Sequence, residues 1–342
     1  MTIKELAKLA GVSHSTVSRS LNDNPSISSE TKERIRDLAD KHNFAFNASA
    51  RSLSTRKTGT IGIIFPELYD HYRNLQYLGL LLNSLRFTLE KEDYDSIVTF
   101  PVNSHSGQSN IRKLIRQKKV DGLILVITDI GEEDWDILRL STIPTISLHF
   151  KWKNHHYQEI DYIYTDHCRG GYLATEHLIK HGRKNLITLS EVGDFIEYKE
   201  RTKGFLQALE TAALPVGDKA VFAGTCSFEY GYYFVKENRS LLSRVDGIFA
   251  QADFTALGCI EALKELGIRV PEDLAVVGYD DIEIGKFFRP HLTTIHQPRE
   301  RHTKLACQRL IALIKGEEAT EDRLQQVIEP SLVVRESCGA LK

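Results

Sequence analysis

Long apolar runs are missing from this chain: nowhere do about 18 apolar residues follow one another, so no membrane-spanning helix is expected. Cysteine is scarce and scattered. Cys168, Cys226, Cys259, Cys307 and Cys338 are odd in number and show no CxxC spacing, which argues against a disulfide framework and against a zinc site. The start, Met1-Thr2-Ile3-Lys4-Glu5, lacks the apolar core of a signal peptide, so a cytoplasmic protein is expected. No GxGxxG, Walker A or GxSxG sequence occurs, and the 13 histidines form no HExxH. Neither catalysis nor a bound metal or cofactor is expected. Tyr279-Asp280-Asp281 resembles a paired-carboxylate site but has no nucleophile or metal signature near it. Charge of one sign is also lacking, with 44 Lys+Arg against 46 Asp+Glu; a charged fraction of 26% and 9% aromatics exclude wholesale disorder.

What is present is unevenly distributed. Residues 1–60 carry ten Lys/Arg and six Asp/Glu, while the remainder carries 34 against 40. A small basic head on a mildly acidic body suggests a polyanion-binding module joined to something else. The length of 342 residues suggests two or three domains.

The head reads as three short helices. Thr2-x-x-Glu5 is a capping box, Ile3, Leu6 and Ala10 repeat at helical spacing, and Gly11 supplies the left-handed stop. Ser13 caps a second helix with Val17 and Leu21 inward, after a turn of about three residues, the helix-turn-helix spacing. Ser28 caps a third, with Ile35, Leu38 and Ala39 inward. If Val17 and Leu21 face the core, His14, Ser15, Ser18 and Arg19 lie outside, and no acid falls between Gly11 and Asn22. That face suits a recognition helix in the major groove, with Arg19 able to donate two bonds to guanine. Thr2, Ser13, Thr16, Asn22, Ser28 and Thr31 are then placed to contact phosphates and fix register.

Thr2-Ile3-Lys4-Glu5-Leu6-Ala7, Ala10-Gly11-Val12-Ser13, Ser15-Thr16-Val17-Ser18-Arg19, Leu21-Asn22 and Asn47-Ala48-Ser49-Ala50-Arg51-Ser52-Leu53 together resemble the head of the lactose-repressor (LacI/GalR) family of bacterial transcription regulators. The resemblance implies a homodimer that sets two recognition helices in adjacent major grooves of a near-palindromic double-stranded operator. It also implies that residues 47–57 are a hinge helix that folds on DNA, with Asn47, Ala50 and Arg51 at the minor groove and Leu53 wedged between base pairs. The stretch is too short to be helical alone in water. Phe46 stands where the family usually has proline, which removes a fixed backbone angle before the hinge.

From residue 58 to 338, apolar β-type runs alternate with amphipathic helical stretches, which indicates parallel sheets covered by helices on both faces. About 280 residues exceed one comfortable sheet, so two similar lobes are expected. The resemblance continues through Arg201-Thr202-Lys203-Gly204-Phe205, Asp253 with Ala256-Leu257-Gly258, Val276-Val277-Gly278-Tyr279-Asp280-Asp281 and Leu292-Thr293-Thr294-Ile295-His296-Gln297-Pro298. It implies an α/β body like periplasmic sugar-binding proteins. The division expected is a head at 1–46, a hinge at 47–57 and a body at 58–338, with lobe 1 at about 58–163 and 292–324 and lobe 2 at about 164–291 and 325–338.

The cleft between lobes is the expected ligand site, because such sheets bind at strand C-terminal ends. By the resemblance, Arg201 and Asp280 hold a small effector; a guanidinium and a carboxylate facing one cleft suit a polyol, a carbohydrate above all. Gln297, Asp70 and Tyr72 are expected on the opposite wall. Three departures limit the chemistry: Ala252 precedes Asp253 where many sugar-binding members have Asn, Cys226 stands where relatives often have an aromatic, and His149-Phe150-Lys151-Trp152 replaces a stretch that often brings an acid. Trp152, His155, His156 and Tyr157 are expected in a solvated loop with a partly packed Trp. No leucine heptad follows Pro330, so a dimer is expected rather than a coiled-coil tetramer. The competing readings are a sugar-binding protein without regulatory action on DNA, or a regulator answering a nucleoside, a purine or a protein corepressor.

Overall fold

The computed structural model describes residues 1–44, 57–66, 75–152, 156, 159–217, 219–317 and 322–339. The connector residues Asn47, Ala50, Arg51 and Leu53, and the cleft candidates Asp70 and Tyr72, lie outside them, as do His155 and Tyr157. Among the described residues, no helix is long and apolar enough to cross a membrane.

The head consists of α1 (Ile3–Ala10), α2 (His14–Leu21) and α3 (Ser29–Lys41). Leu6, Ala7, Ala10, Val17, Ile35 and Ala39 form its small core, with Leu21 and Leu38 packed at the edge. Gly11 ends α1 with φ 65°, a conformation that a side chain would strain, and the three-residue turn to α2 is as expected.

Lobe 1 is a six-stranded parallel sheet. In chain order its strands are β1 (Thr60–Ile64), β2 (Asp95–Thr99), β3 (Gly122–Leu125), β4 (Thr145–His149), β5 (Asp161–Thr165) and β11 (Gln325–Ile328); in space they run β11-β5-β4-β3-β1-β2. Lobe 2 holds β6 (Leu186–Glu191), β7 (Val221–Gly224), β8 (Gly247–Ala250), β9 (Ala275–Tyr279), β10 (Thr293–His296) and β12 (Ser331–Val333), ordered β12-β10-β9-β8-β6-β7. All its pairings are parallel except β12 on β10. The central strands β1, β3, β8 and β9 are almost wholly buried, as strands covered on both faces must be.

The strand pairings move two of the expected lobe boundaries. β10 pairs with β9, so the stretch from 292 belongs to lobe 2; β11 pairs with β5, so the stretch from 325 belongs to lobe 1. The chain therefore crosses between lobes in the short links 166, 297–298 and 329–330. The difference arises because β10 and β11 are four-residue segments with only Ile295, Val327 and Ile328 apolar, too little pattern to say which sheet each joins; pairing decides it, with β10 between β9 and β12 and β11 at the edge beside β5.

Five helices supply or brace the interlobe cleft: α4 (Leu75–Lys91), α7 (His167–Lys180), α8 (Ile196–Thr211), α11 (Asp253–Glu265) and α12 (Arg299–Lys315). The remaining described α-helices are α5 (Asn110–Arg116), α6 (Glu132–Leu140), α9 (Phe228–Glu237) and α10 (Arg239–Leu242). Helix α12 crosses back to pack on α4 and on the lobe 1 strands. In lobe 2, α7 and α8 meet at backbone contact: a Cβ on Gly204 would collide with the Cys168 carbonyl oxygen, and one on Gly171 with that of Arg201. Trp152 is fully buried in lobe 1, edge-on to Trp135 at 6.3 Å, rather than partly packed in a solvated loop. His156 stacks on the same Trp135 at 4.6 Å and contacts Glu132.

Candidate DNA interface and effector cleft

Each head helix begins on a hydroxyl. The Glu5 amide donates to Thr2 Oγ1 at 3.3 Å while the Thr2 amide donates to the Glu5 carboxylate at 2.7 Å, closing the capping box. The Thr16 amide donates to Ser13 Oγ at 3.1 Å, and the hydroxyls of Ser15 and Thr16 each lie 2.8 Å from that same oxygen. Ser28 repeats the arrangement with the amide and hydroxyl of Thr31. Such caps leave first-turn amides pointing outward at a positive dipole end, the geometry that meets phosphate. On α2, His14, Ser15 and Arg19 are exposed and Ser18 is half-buried, while Val17 is fully buried. Asn22 ends α2, half-buried, and its side-chain oxygen is enclosed without a partner among the described residues. Asp23, just past α2, has φ 55° and holds Lys32 at 3.0 Å and Arg36 at 3.1 Å. The first acid after α2 is thereby paired with two cations, a role that no local sequence signal announces.

In the body, the C-terminal ends of β4, β5, β9 and β10 meet between the lobes. Asp280 follows β9 with φ 113° and is nearly enclosed. The Gln297 amide donates to Asp280 Oδ1 at 2.7 Å, and Gln297 in turn accepts from Thr165 Oγ1 at 3.3 Å. Gln297 therefore stands beside Asp280 at the second crossing, not on an opposite wall, because the crossing strand β10 is the neighbour of β9. Burial pushes the Asp280 carboxyl up to about 6, against the pull of Arg201 and Gln297.

Arg201, on α8, is buried with its guanidinium 3.8 Å from the Tyr279 ring and 4.7 Å from that of Tyr198. Its Nη1 donates to the Gln251 carbonyl at 2.6 Å, its Nε donates to His167 Nδ1 at 3.2 Å, and its Nη2 lies 3.9 Å from Asp280 Oδ1. Burial opposes its charge, but Tyr279 and Asp280 more than compensate and hold it protonated. Cys226, Ala252 and Tyr198 pack together as a small apolar cluster at this wall, with Phe195 against them. Asp253, next to Ala252, is committed to structure: it accepts from the Thr294 hydroxyl at 2.6 Å and the Ile282 amide at 2.9 Å.

Four residues absent from the expected site belong to it. His167 Nδ1 accepts from Arg201, so its proton sits on Nε2, a buried atom with no partner among the described residues. His149 lies 6.4 Å from His167 and 4.9 Å from Tyr77, ring to ring. His149 Nδ1 and the Tyr77 hydroxyl are likewise buried with no described partner. Arg299, at the start of α12, has an enclosed Nη1 in the same condition and acts electrostatically on both Asp280 and Tyr77. Burial first, then neighbouring positive groups, holds His149 and His167 well below the ordinary imidazole value, so both are neutral. The signal available in sequence is position: His149 closes a strand and His167 follows one by two residues. Tyr77 and Arg299 sit in helical first turns and carry none. Across the cleft, the Lys151 amide donates to Glu197 at 3.2 Å and the Tyr164 hydroxyl donates to Glu200, tying lobe 1 to the helix that bears Arg201.

A helix-turn-helix head joined to two parallel-sheet lobes with a polar, buried cleft between them defines a class: DNA-binding regulators whose bodies are built like periplasmic binding proteins. Residues 2–47 match the lacI family of bacterial regulatory proteins, and residues 175–338 match a periplasmic binding protein-like domain. The HTH-type transcriptional repressor PurR of Mannheimia succiniciproducens is 31% identical over 337 residues, 98% of each chain; that of Vibrio parahaemolyticus is 31% identical over 341 residues, 99% of each. Among solved structures, a lac repressor dimer bound to operator and the anti-inducer ONPF shares the fold with a TM-score of 0.80 at 24% identity, covering 99% of both chains. A complex of the regulator CelR with cellobiose has a TM-score of 0.69 at 25% identity, covering 98% of this chain and 99% of that one. The chain belongs to the LacI family of DNA-binding transcriptional repressors.

Proposed function

We propose that the chain represses transcription as a homodimer on a near-palindromic operator, and that a small carbohydrate-like effector in the interlobe cleft tunes its grip. The observation that carries this reading is the pairing of an acid-free, exposed α2 face with a distant cleft holding enclosed polar atoms that no described residue satisfies. In the head, His14, Ser15, Ser18 and Arg19 read base edges, while Thr2, Ser13, Thr16, Asn22, Ser28 and Thr31 hold phosphates. The connector, with Asn47, Ala50, Arg51 and the wedge Leu53, folds on DNA and carries the lobe 1 position to the head. In the cleft, Arg201 and Asp280 contact the effector, Gln297 braces Asp280, and Asp70 and Tyr72 contribute from the segment after β1; Cys226 and Ala252 form an apolar wall.

Effector occupancy changes the angle between lobes, and coupling of about 1–3 kcal/mol runs in both directions. The test is an operator titration by fluorescence anisotropy across sugars. A tenfold or larger change in operator affinity with one of them supports the reading; a flat response to every cleft-binding compound refutes the coupling.

A further inference from the structure

The cleft holds unused hydrogen-bonding capacity, and two of the groups around it are guanidiniums. Asp280 Oδ1 is taken by Gln297, and Arg201 Nη2 stops 3.9 Å short of it, so the pair is not closed. Arg299 uses its Nε on the exposed Glu300 at 3.2 Å and leaves Nη1 buried, with no partner among the described residues. His167 offers an Nε2 proton, and Tyr77 a hydroxyl, to none of the described residues. Beside these donors stand the second Asp280 oxygen and Gln76 Oε1 as acceptors, while His149 Nδ1 and His302 Nδ1 are enclosed imidazole nitrogens without a partner among the described residues. Two guanidinium groups act on the same Tyr77 and Asp280, whereas both nearby imidazoles are neutral. Buried donors without acceptors are costly, and a buried cation more so unless an anion meets it.

We infer that the effector is an acidic polyol: a polyhydroxylated chain or ring bearing one anionic oxyacid group, seated between Arg201 and Arg299, with its hydroxyls on Asp280, His167 and Tyr77. The inference rests on the cleft being the effector site and names the chemical class that fits it. A planar guanidinium pairs with carboxylate and phosphate alike. The shared chemistry is therefore the oxyanion on a polyol, and the source is for the experiment to separate.

The experiment is isothermal titration calorimetry on the full chain with D-gluconate and D-galacturonate as carboxylates, glucose 6-phosphate as a phosphate, glucose and galactose as neutral parents, and inorganic phosphate alone. At least one acid is expected to bind ten or more times tighter than its neutral parent, and Arg299→Gln is expected to erase that preference. The preference of the unaltered protein stands as evidence even if the variant folds poorly. Neutral parents binding as tightly as the acids overturn the inference while leaving the cleft as the effector site. Inorganic phosphate binding as tightly as the sugar phosphate overturns the polyol half. No binding by any acid at millimolar concentration overturns the inference. Binding of an acid that is indifferent to both Arg201→Gln and Asp280→Asn overturns the cleft reading itself.

Discussion

Arg19 is exposed on α2, which itself carries no acid, so its substitution by alanine leaves the head core undisturbed and tests the proposed base contact. Arg19→Ala should cost about 1–3 kcal/mol on operator and much less on random DNA; equal loss on both would make it a phosphate contact instead. Histidine sets the pH response. Burial holds His302 down to about 4, and His149 and His167 are shifted the same way. Between about 4 and the unfolded value near 6.5, the unfolded chain binds the extra proton, so stability rises with pH and is lost on acidification. Asp280, pushed up to about 6, works oppositely, since its folded form binds the proton more readily. His302→Gln should therefore flatten the loss of unfolding free energy from pH 6.5 to 4.5, read by denaturant titration, by up to about 1.4 kcal/mol per pH unit. A slope identical to that of the unaltered protein would rule His302 out. Arg201 and Asp280 are legible from their motifs, whereas Tyr77 and Arg299 gain meaning only from neighbours far along the chain.

Helix ends and helix crossings carry the next level. Ser13→Ala removes the acceptor for the Thr16 amide and should cost about 1 kcal/mol in a head whose core is six buried residues. The helical signal of α2 should weaken and operator affinity fall for every sequence alike. Gly204→Ala places a methyl where the Cys168 carbonyl already stands, forcing α7 and α8 apart. A loss of about 1–3 kcal/mol or more is expected by denaturant unfolding, with effector binding lost further because α8 bears Arg201. An unchanged midpoint would mean that the crossing relaxes freely. The glycine is visible in the sequence as part of a motif, but its reason, backbone against backbone, is not. Helix α4 is legible over Leu75–Lys91 because its periodicity is long; the lobe that β10 and β11 join is not, because each strand is four residues with one or two apolar positions, and only its pairing partners decide its sheet.

For the whole molecule, head and body are separable in charge and in role, and removal of residues 1–57 should abolish operator retention while leaving effector binding intact. Retention by the truncated body would transfer DNA binding to the lobes. Three facts are set by sequence alone: a trihelical head with a basic surplus, alternation that demands parallel sheets, and the motifs that mark the family. These are local properties, written in caps, periods and turn residues, which act over a few positions. Tertiary structure decided the rest: which lobe each late strand joins, that Gln297 props Asp280 rather than facing it, that Trp152 is core, and that His149, His167, Tyr77 and Arg299 gather around Arg201 and Asp280. Those outcomes depend on pairings and burial between segments far apart in the chain, where the free energy of a contact exists only after the sheets have formed.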